Sequence, residues 1–434
     1  LSKLVRLGRR VAICDQVEDP AQSKGIVRRE VTEMITPGTV LADSLLVRHQ
    51  NNFLVALVDA GAGSFGMAVL DVSTGEMSTQ LVPTNELRAE LGRVEPSELL
   101  LPYSLEDLDS VLGAKEVSIP RTLRADWMFD LDLSTDALLS SFGVHSLDGF
   151  GFQSEDHALA RVSGALVQYL KEIRPGGISH LKSPRIRRPG KIMLLDEMTR
   201  RNLELIEPLR TGEQGGTLLD VLDVTETPMG GRLLRRWVLE PLIRAEDICA
   251  RHDAVEEFVG RPNLRIRMRA ALSRVTDLER LAGKVGTGRV MPRDLLGLRK
   301  SLEQLPKIQE AGIQAKDPLI RESAVNKDRL DDVSTLLKSA ISDDSPATLN
   351  EGGVIKKGWS KDLDQLREVR DGARDFLASL QVRERERTGI ASLKVGFNKV
   401  FGYYLEVTRA NLGKVPDDYI RKQTLANAER YFTS

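Results

Sequence analysis

The sequence predicts a multidomain chain of the α/β plus mainly α class, and three observations carry that prediction. Between residues 50 and 175 short apolar runs alternate with helical periodicity, the mark of an α/β layer. Beyond Lys191 the helical period of about 3.6 residues is nearly continuous. From Leu393 the pattern switches to two-residue alternation, which indicates a small terminal β-element. The 434 residues leave room for about three domains.

Taken in order, residues 10–36 hold two strand-like runs. Val11, Ile13 and Val17 share one side of the first, and residues 25–35 are rich in β-branched side chains. The turn Thr36-Pro37-Gly38-Thr39 closes this portion. Residues 53–58 read as a strongly apolar strand, 67–72 as its hairpin partner and 75–82 as a third strand. Helices are expected near 85–93 and 154–173, with a short strand at 99–101 between them. The basic, Pro- and Gly-rich stretch 174–190 reads as a linker. In the helical region, Leu295, Leu298, Leu302 and Leu305 follow Pro292, a residue suited to a first helical turn. The longest helix is expected over 360–388, about 40 Å of rod at 1.5 Å per residue. Leu363, Leu366, Val369, Ala373, Phe376, Leu377 and Leu380 are assigned to its inward face, and Gly389 to its C-terminus. Residues 393–397 and 403–407 then form a hairpin turned near Asn398-Lys399, and Pro416-Asp417-Asp418 opens a short helix through Arg430.

Composition narrows the function classes. Hydrophobic residues make up 41% and charged residues 29%, with a formal net charge of −1. No global excess of cations announces nucleic acid, so any such contact must rest on local patches. Two distant cysteines, Cys14 and Cys249, argue for a reducing cytosol over a disulfide framework. No apolar run approaches the roughly 20 residues of a membrane span, and the first residues do not read as a signal peptide. A first residue other than Met, with no terminating signal after Ser434, leads to the expectation of an internal fragment.

Two catalytic readings are weighed and set aside. Gly61-Ala62-Gly63-Ser64-Phe65-Gly66 matches G-x-G-x-x-G after a strand, but a second strand follows where a dinucleotide site needs a helix N-terminus. A hairpin turn is expected instead. Asp59 and Asp71 fall on adjacent predicted strands, yet metal-assisted hydrolysis needs a third converging carboxylate, and none is evident. The five histidines show no ligand spacing. Met229 and Trp237 are assigned to helix packing.

Several phrases resemble the MutS family. Residues 11–20 (VAICDQVEDP), with Lys24-Gly25 and Thr36-Pro37-Gly38-Thr39, are similar to the end of its mismatch-reading domain. Residues 227–237 (TPMGGRLLRRW) are similar to the start of its helical core. Residues 383–389 (RERERTG), 394–398 (KVGFN), Gly402-Tyr403-Tyr404, Gln423-Thr424-Leu425 and 427–431 (NAERY) are similar to its DNA clamp. The resemblance runs the length of the chain in family order. It implies the end of a mismatch-recognition domain at 1–48, a ribonuclease-H-like connector at 49–190, an all-α lever domain at 191–382 and a small mixed α/β clamp at 383–434. It implies a parent protein that encircles double-stranded DNA as a dimer, recognises mispairs and recruits MutL through the connector under control of ATP and Mg. A meiotic relative without mismatch specificity, or a nuclease built on the connector, are the alternatives. The family's Phe-x-Glu wedge and its G-x-x-x-x-G-K-[ST] phosphate loop are absent from these 434 residues, so no catalytic, cofactor or metal site is expected within them. A cytoplasmic, nucleoid-associated location is expected.

The site reading falls on the last 52 residues, where ten cations face six carboxylates. The alternating Arg-Glu run at 383–387 is assigned to a solvated helix face. Lys394, Asn398, Lys399, Arg421, Lys422, Gln423 and Asn427 mix cations with amide donors, a set suited to phosphate oxygens. Many relatives carry a lysine where this chain has Ala426, so contact there is expected to be weaker or to be supplied by Lys399.

Overall fold

In the computed structural model the described residues are 1–18, 27–112, 119–174, 177–188, 190–210, 215–398 and 402–432. They divide into two compact units, Leu1–Val354 and Ile355–Ser434. The first opens with an antiparallel pair, β1 (Val11–Gln16) and β2 (Arg29–Ile35). Its main sheet contains β3 (Phe53–Gly61), β4 (Ser64–Asp71), β5 (Glu76–Pro83), β6 (Glu98–Pro102), β7 (Arg121–Arg124) and β8 (Arg185–Ile186). The strand order is β7-β6-β3-β4-β5-β8. β3, β4 and β5 run antiparallel as a meander, while β6 and β7 add in parallel beside β3.

The unbroken apolar run of β3 follows from its central position. Leu54, Ala56 and Val58 enter one core and Val55 and Leu57 the other, so both faces are covered. On one side α1 (Leu87–Val94) closes the smaller core. On the other, α2 (Leu131–Phe142) and α3 (His157–Ile173) close the larger one, with Tyr169, Leu166 and Val162 fully buried. The β3–β4 turn places Gly61, Ala62 and Gly63 at φ of +74°, +51° and +74°, and a strand follows at once. The hairpin expectation for this glycine motif holds.

Glu98 organises the edge of this sheet. It is 1% exposed, and its carboxyl accepts hydrogen bonds from the hydroxyls of Thr36, Thr122 and Tyr169. The Gly38 N–H donates to it at 2.9 Å. A Cβ on residue 38 would stand 2.9 Å from the Glu98 Cβ, so the turn Thr36–Thr39 needs glycine there.

Among its described residues the expected linker at 174–190 is instead packed. Arg174 is buried and donates to the Thr39 carbonyl, and burial pushes its guanidinium down to about 10. Residues 185–186 add β8 to the sheet, and Arg188 forks onto the buried Asp156 at 2.6 and 2.9 Å. These cations have fixed acceptors, which is why the stretch does not behave as a spacer despite its prolines and glycines.

The helical part of the unit comprises α4 (Pro228–Leu239), α5 (Ala245–Gly260), α6 (Pro262–Leu272), α7 (Leu278–Gly286), α8 (Pro292–Leu302), α9 (Leu305–Ile313), α10 (Pro318–Ala324) and α11 (Asp331–Ala340). Thr227 caps α4 by accepting from the Gly230 N–H at 3.0 Å, with Pro228 in the first turn. The buried Arg232 then grips Asp277 at 2.6 and 2.8 Å and Glu279 at 2.6 Å. Arg280 holds the carbonyls of Val47 and Gln50 at 3.0 and 2.7 Å. Trp237 departs from the packing expectation: it is part-exposed, with the Arg251 guanidinium 3.9 Å from its ring centroid.

In the second unit α12 (Lys361–Thr388) spans 28 residues and ends at Gly389, φ +66°. Its expected inward stripe is divided, with Leu363, Leu377 and Leu380 half-buried and the rest of the described members exposed. Leu366, Val369 and Phe376 are 68%, 71% and 58% exposed, because no other described element of this unit lies over that side of the rod. Beyond it β9 (Lys394–Asn398), β10 (Gly402–Thr408), β11 (Ile420–Thr424) and β12 (Ala428–Phe432) form an antiparallel sheet in the order β11-β12-β10-β9. The helix expected from Pro416 through Arg430 is therefore a strand pair, and the α/β mixture expected for this end is a sheet mounted on one long helix. Asp418 and Tyr419 are engaged elsewhere, on Arg387 and Glu384, and so cannot cap a helix. Pairing with β10 also buries Tyr431 opposite Leu405, a tertiary gain that outweighs local propensity.

Replacing Glu98 with Ala should strand the buried donors of Gly38, Thr122 and Tyr169, each costing about 1–3 kcal/mol if unsatisfied, while Thr36 keeps its bond to Thr39. A loss of at least about 3 kcal/mol in urea unfolding of the chain is expected. An unchanged midpoint would show that the four contacts do not hold the sheet edge.

Candidate nucleic-acid interface

The terminal sheet has two unlike faces. On the inner face Leu405, Val407 and Tyr431 pack with Ile390, Leu393 and Tyr419. Of the Arg-Glu run, Arg383, Glu386 and Arg387 are exposed as expected for a solvated face, but Glu384 is buried and Arg385 half-buried against this core. Glu384 is buried and accepts from the Tyr419 hydroxyl and from Arg387, each at 2.8 Å. Arg387 also holds Asp418 through two N–H groups at 3.0 Å. Arg385 donates to the Leu393 carbonyl at 2.7 Å. Burial, reinforced by Glu384, pushes the Tyr419 hydroxyl up to about 12.

The outer face is polar, and strand register sets its order. Glu406 is paired with Lys394 on one side and Arg430 on the other, and Arg430 with Gln423. These four side chains therefore form one row across the sheet, about 14 Å long at the usual strand spacing. Arg430 is locked at its centre. It donates to Glu406 at 2.9 Å and to Gln423 at 2.9 Å, and its guanidinium lies 4.2 Å from the Tyr404 ring centroid. A bulge between Arg421 and Gln423 sets Lys422 beside this row, its Nζ 5.7 Å from the Phe432 ring centroid.

The seven expected contact residues are thus divided. Lys394, Lys422 and Gln423 come together on the outer face, the two lysines exposed. Asn427 is exposed in the β11–β12 turn, where its carbonyl accepts from the Arg409 N–H at 3.1 Å. Arg421 pairs across to Tyr431 on the other side of the sheet and reaches Glu429 at 3.4 Å, although it is 61% exposed. The Asn398 backbone pairs with Gly402, and its side chain and Lys399 lie outside the described residues. Sequence reading missed Arg430 as the organiser of the face. The alternation Ala428–Arg430–Phe432 opposite Tyr431 was the available signal.

The large cleft of the first unit is not a comparable cationic face among the described residues. Of about 1300 Å³, between β5, β8 and α4, it is rich in charge, but its groups neutralise each other. Arg187 donates to both Glu240 oxygens at 2.9 Å and Arg236 to Glu76 at 2.8 Å. Asp59 and Asp71 pair with Phe65 and Phe53, at opposite ends of the hairpin, roughly 20 Å apart along the strand. Asp71 is engaged by Asn51, Asn52 and Ser73. Among the described residues no group of three or more His, Cys, Asp or Glu side chains could hold a metal ion, and no helix is long and apolar enough to cross a membrane. His49 bonds Asp223 at 2.8 Å and His180 the Val72 carbonyl at 2.8 Å, both structural uses.

Residues 1–44, 52–182 and 198–429 match the models of MutS domain I, MutS domain II and MutS domain III. The last alone covers more than half of the chain. The chain belongs to the MutS family. Among curated proteins, the DNA mismatch repair proteins MutS of Symbiobacterium thermophilum and Pelotomaculum thermopropionicum are each 44% identical over all of this chain and 50% of their own length. That of Methanothrix thermoacetophila is 43% identical over all of this chain and 49% of its own. The chain spans about half the length of the curated relatives it matches.

Tyr419→Phe should leave the Glu384 carboxyl short of one buried donor and cost about 1–3 kcal/mol. Thermal unfolding followed through the second unit's tyrosines measures it. A variant as stable as the parent would mean that Glu384 does not depend on this bond.

Proposed function

We propose that this chain supplies the connector, lever and DNA-clamp portions of a MutS-type mismatch-repair protein. The meander β3–β5 flanked by parallel β6 and β7 supports the ribonuclease-H-like reading of the connector. The helices of the first unit and the long rod α12 correspond to the lever, and the β9–β12 sheet to the clamp. ATP and Mg chemistry belongs, in this reading, to the other half of the full-length protein. That protein acts as a dimer on double-stranded DNA in the cytoplasm. The mismatch-repair names of the relatives favour this over a meiotic relative.

The observation that carries the clamp reading is the outer face. Lys394 and Lys422 are exposed there without an ion pair among the described residues, and Gln423 and Asn427 add amides. Phosphate contact needs charge and hydrogen bonds but no base recognition, and this set offers both. Arg421 and Arg430 have carboxylate partners, so their share is smaller. Lys399, adjoining the hairpin, is assigned the same role.

Lys422→Ala in the full-length protein should weaken matched and mismatched duplex by similar factors and lower the log–log salt slope by about 0.9. Fluorescence anisotropy across a salt series checks both. Loss of mismatch preference with matched-duplex affinity intact would move the mismatch reader into this sheet and overturn the assignment.

The connector is proposed as the docking surface for MutL, without catalysis of its own. Crosslinks between nucleotide-loaded full-length protein and MutL should map to residues 50–190. Crosslinks confined to the lever or clamp would contradict this.

A further inference from the structure

Between Arg261 and Arg274 the chain carries five arginines and no carboxylate, although its overall net charge is −1. The helix α6 runs through the middle of this stretch. It buries Leu264 against Ala254, Ala311, Ala315 and Ile320, with Ala271 buried one side-chain row further on. At about 100° per residue, Arg265 and Arg269 flank that buried line on one side and Arg267 on the other, while Arg274 follows in the turn after the helix. Ile266 stands on the crest, 60% exposed.

The fold uses only two of the five charges. Arg261 is tied to Glu257 at 2.6 Å and Arg269 to Glu226 at 2.5 Å. Arg265 donates to the Phe258 carbonyl at 3.1 Å and Arg267 to the Gln314 side chain at 2.8 Å, both uncharged acceptors. The Arg274 guanidinium has no hydrogen bond or ion pair among the described residues. All three are exposed. Like charges four residues apart on a helix, such as Arg265 and Arg269, destabilise it by a few tenths of a kcal/mol. Glu226 meets the charge of Arg269, but among the described residues no carboxylate meets those of Arg265, Arg267 and Arg274, which leaves them open to an anion outside the chain.

We infer that α6 is a second phosphate-contacting surface, which takes the backbone of duplex DNA without reading its sequence. Guanidinium forks match phosphate oxygens bidentately and keep their charge at any physiological pH. No aromatic residue occurs in 261–274 to stack an unpaired base, which favours a duplex over a single strand. The choice of DNA over an acidic polypeptide rests on the proposed reading of the chain as part of a DNA-binding MutS protein.

The test uses the 434-residue chain and a matched duplex, with anisotropy read across a salt series. The Arg267→Gln/Arg274→Gln variant should bind more weakly and lose about 1.8 from the log–log slope, two contacts at about 0.9 each. The Arg267→Lys/Arg274→Lys variant should restore the slope, and circular dichroism should show all variants folded. An unchanged slope in the Gln variant overturns the inference, as does a loss that Lys fails to restore. Competition by polyglutamate as effective as that of duplex would reassign α6 to an acidic peptide and overturn the DNA assignment. If Lys422→Ala changes nothing while the α6 variant loses its slope, the clamp reading fails and α6 stands. The reverse result removes α6 and leaves the clamp. A parent chain that binds no duplex at any salt ends both.

Discussion

Glu98 enters from β6 into a site closed on every side, where burial of an unsatisfied carboxyl would cost several kcal/mol. Four donors from three separate segments converge on it: Thr36 and Gly38, Thr122, and Tyr169. The turn after β2, strand β7 and helix α3 are thereby tied to one point of the sheet. The Thr-Pro-Gly-Thr phrase acquires a physical meaning from this contact. Its first threonine bonds the carboxyl, its glycine makes room for the Glu98 side chain, and its second threonine closes the turn onto the first at 2.9 Å. Arg174 extends the tie by holding the Thr39 carbonyl from the end of α3. The α/β layer is thus anchored on the same turn from both sides before any helix of the second half is added.

The helical half is joined to that layer by arginines of the same kind. Arg280 lies buried and holds the Val47 and Gln50 carbonyls across the junction, and the buried Arg232 reaches the Arg48 carbonyl while gripping Asp277 and Glu279 within the helical half. Such groups are weak sources of net stability, since their desolvation offsets much of their attraction. Their effect is to allow only one arrangement, because a displaced Arg232 would leave three charges unpaired in a poorly solvated site. The same logic recurs in the second unit, where Glu384, Tyr419, Arg387 and Asp418 lock the sheet to the end of α12.

How much of this was legible in the sequence depended on whether the signal was local. The strands β3 to β6, the turn at Gly61–Gly63 and the span of α12 were all readable, because apolar runs, turn chemistry and helix period are properties of neighbouring residues. The pair β11–β12 was not. Pro416-Asp417-Asp418 has the composition of a helix start, and only Arg387 and Glu384, some thirty positions earlier, show that Asp418 and Tyr419 are committed elsewhere. The buried role of Glu98 was equally invisible, since a glutamate between apolar residues carries no sign of which four donors will meet it. For the candidate site, Lys394, Lys422 and Gln423 were chosen for their chemistry, and the sheet places them on one face. Arg421 was chosen by the same rule and falls on the other face, because a one-residue bulge reverses the side from which it projects.

The number of cations is therefore a poor guide to where this chain meets an anion, and the number lacking a carboxylate is a better one. The 62 lysines and arginines nearly balance 63 acids, and those at the junctions are held by buried or half-buried acceptors. An arginine such as Arg430, fixed by Glu406, Gln423 and Tyr404, shapes the surface but brings little free charge to it. Exposed cations without a counter-charge gather on the outer face of the terminal sheet and along α6 and the turn after it. Their partners in the fold are uncharged, so contact with phosphate exchanges water and counterions without breaking an ion pair that holds the structure. A surface built this way can be engaged and released repeatedly by the backbone of a duplex while the ion pairs that define the structure stay intact.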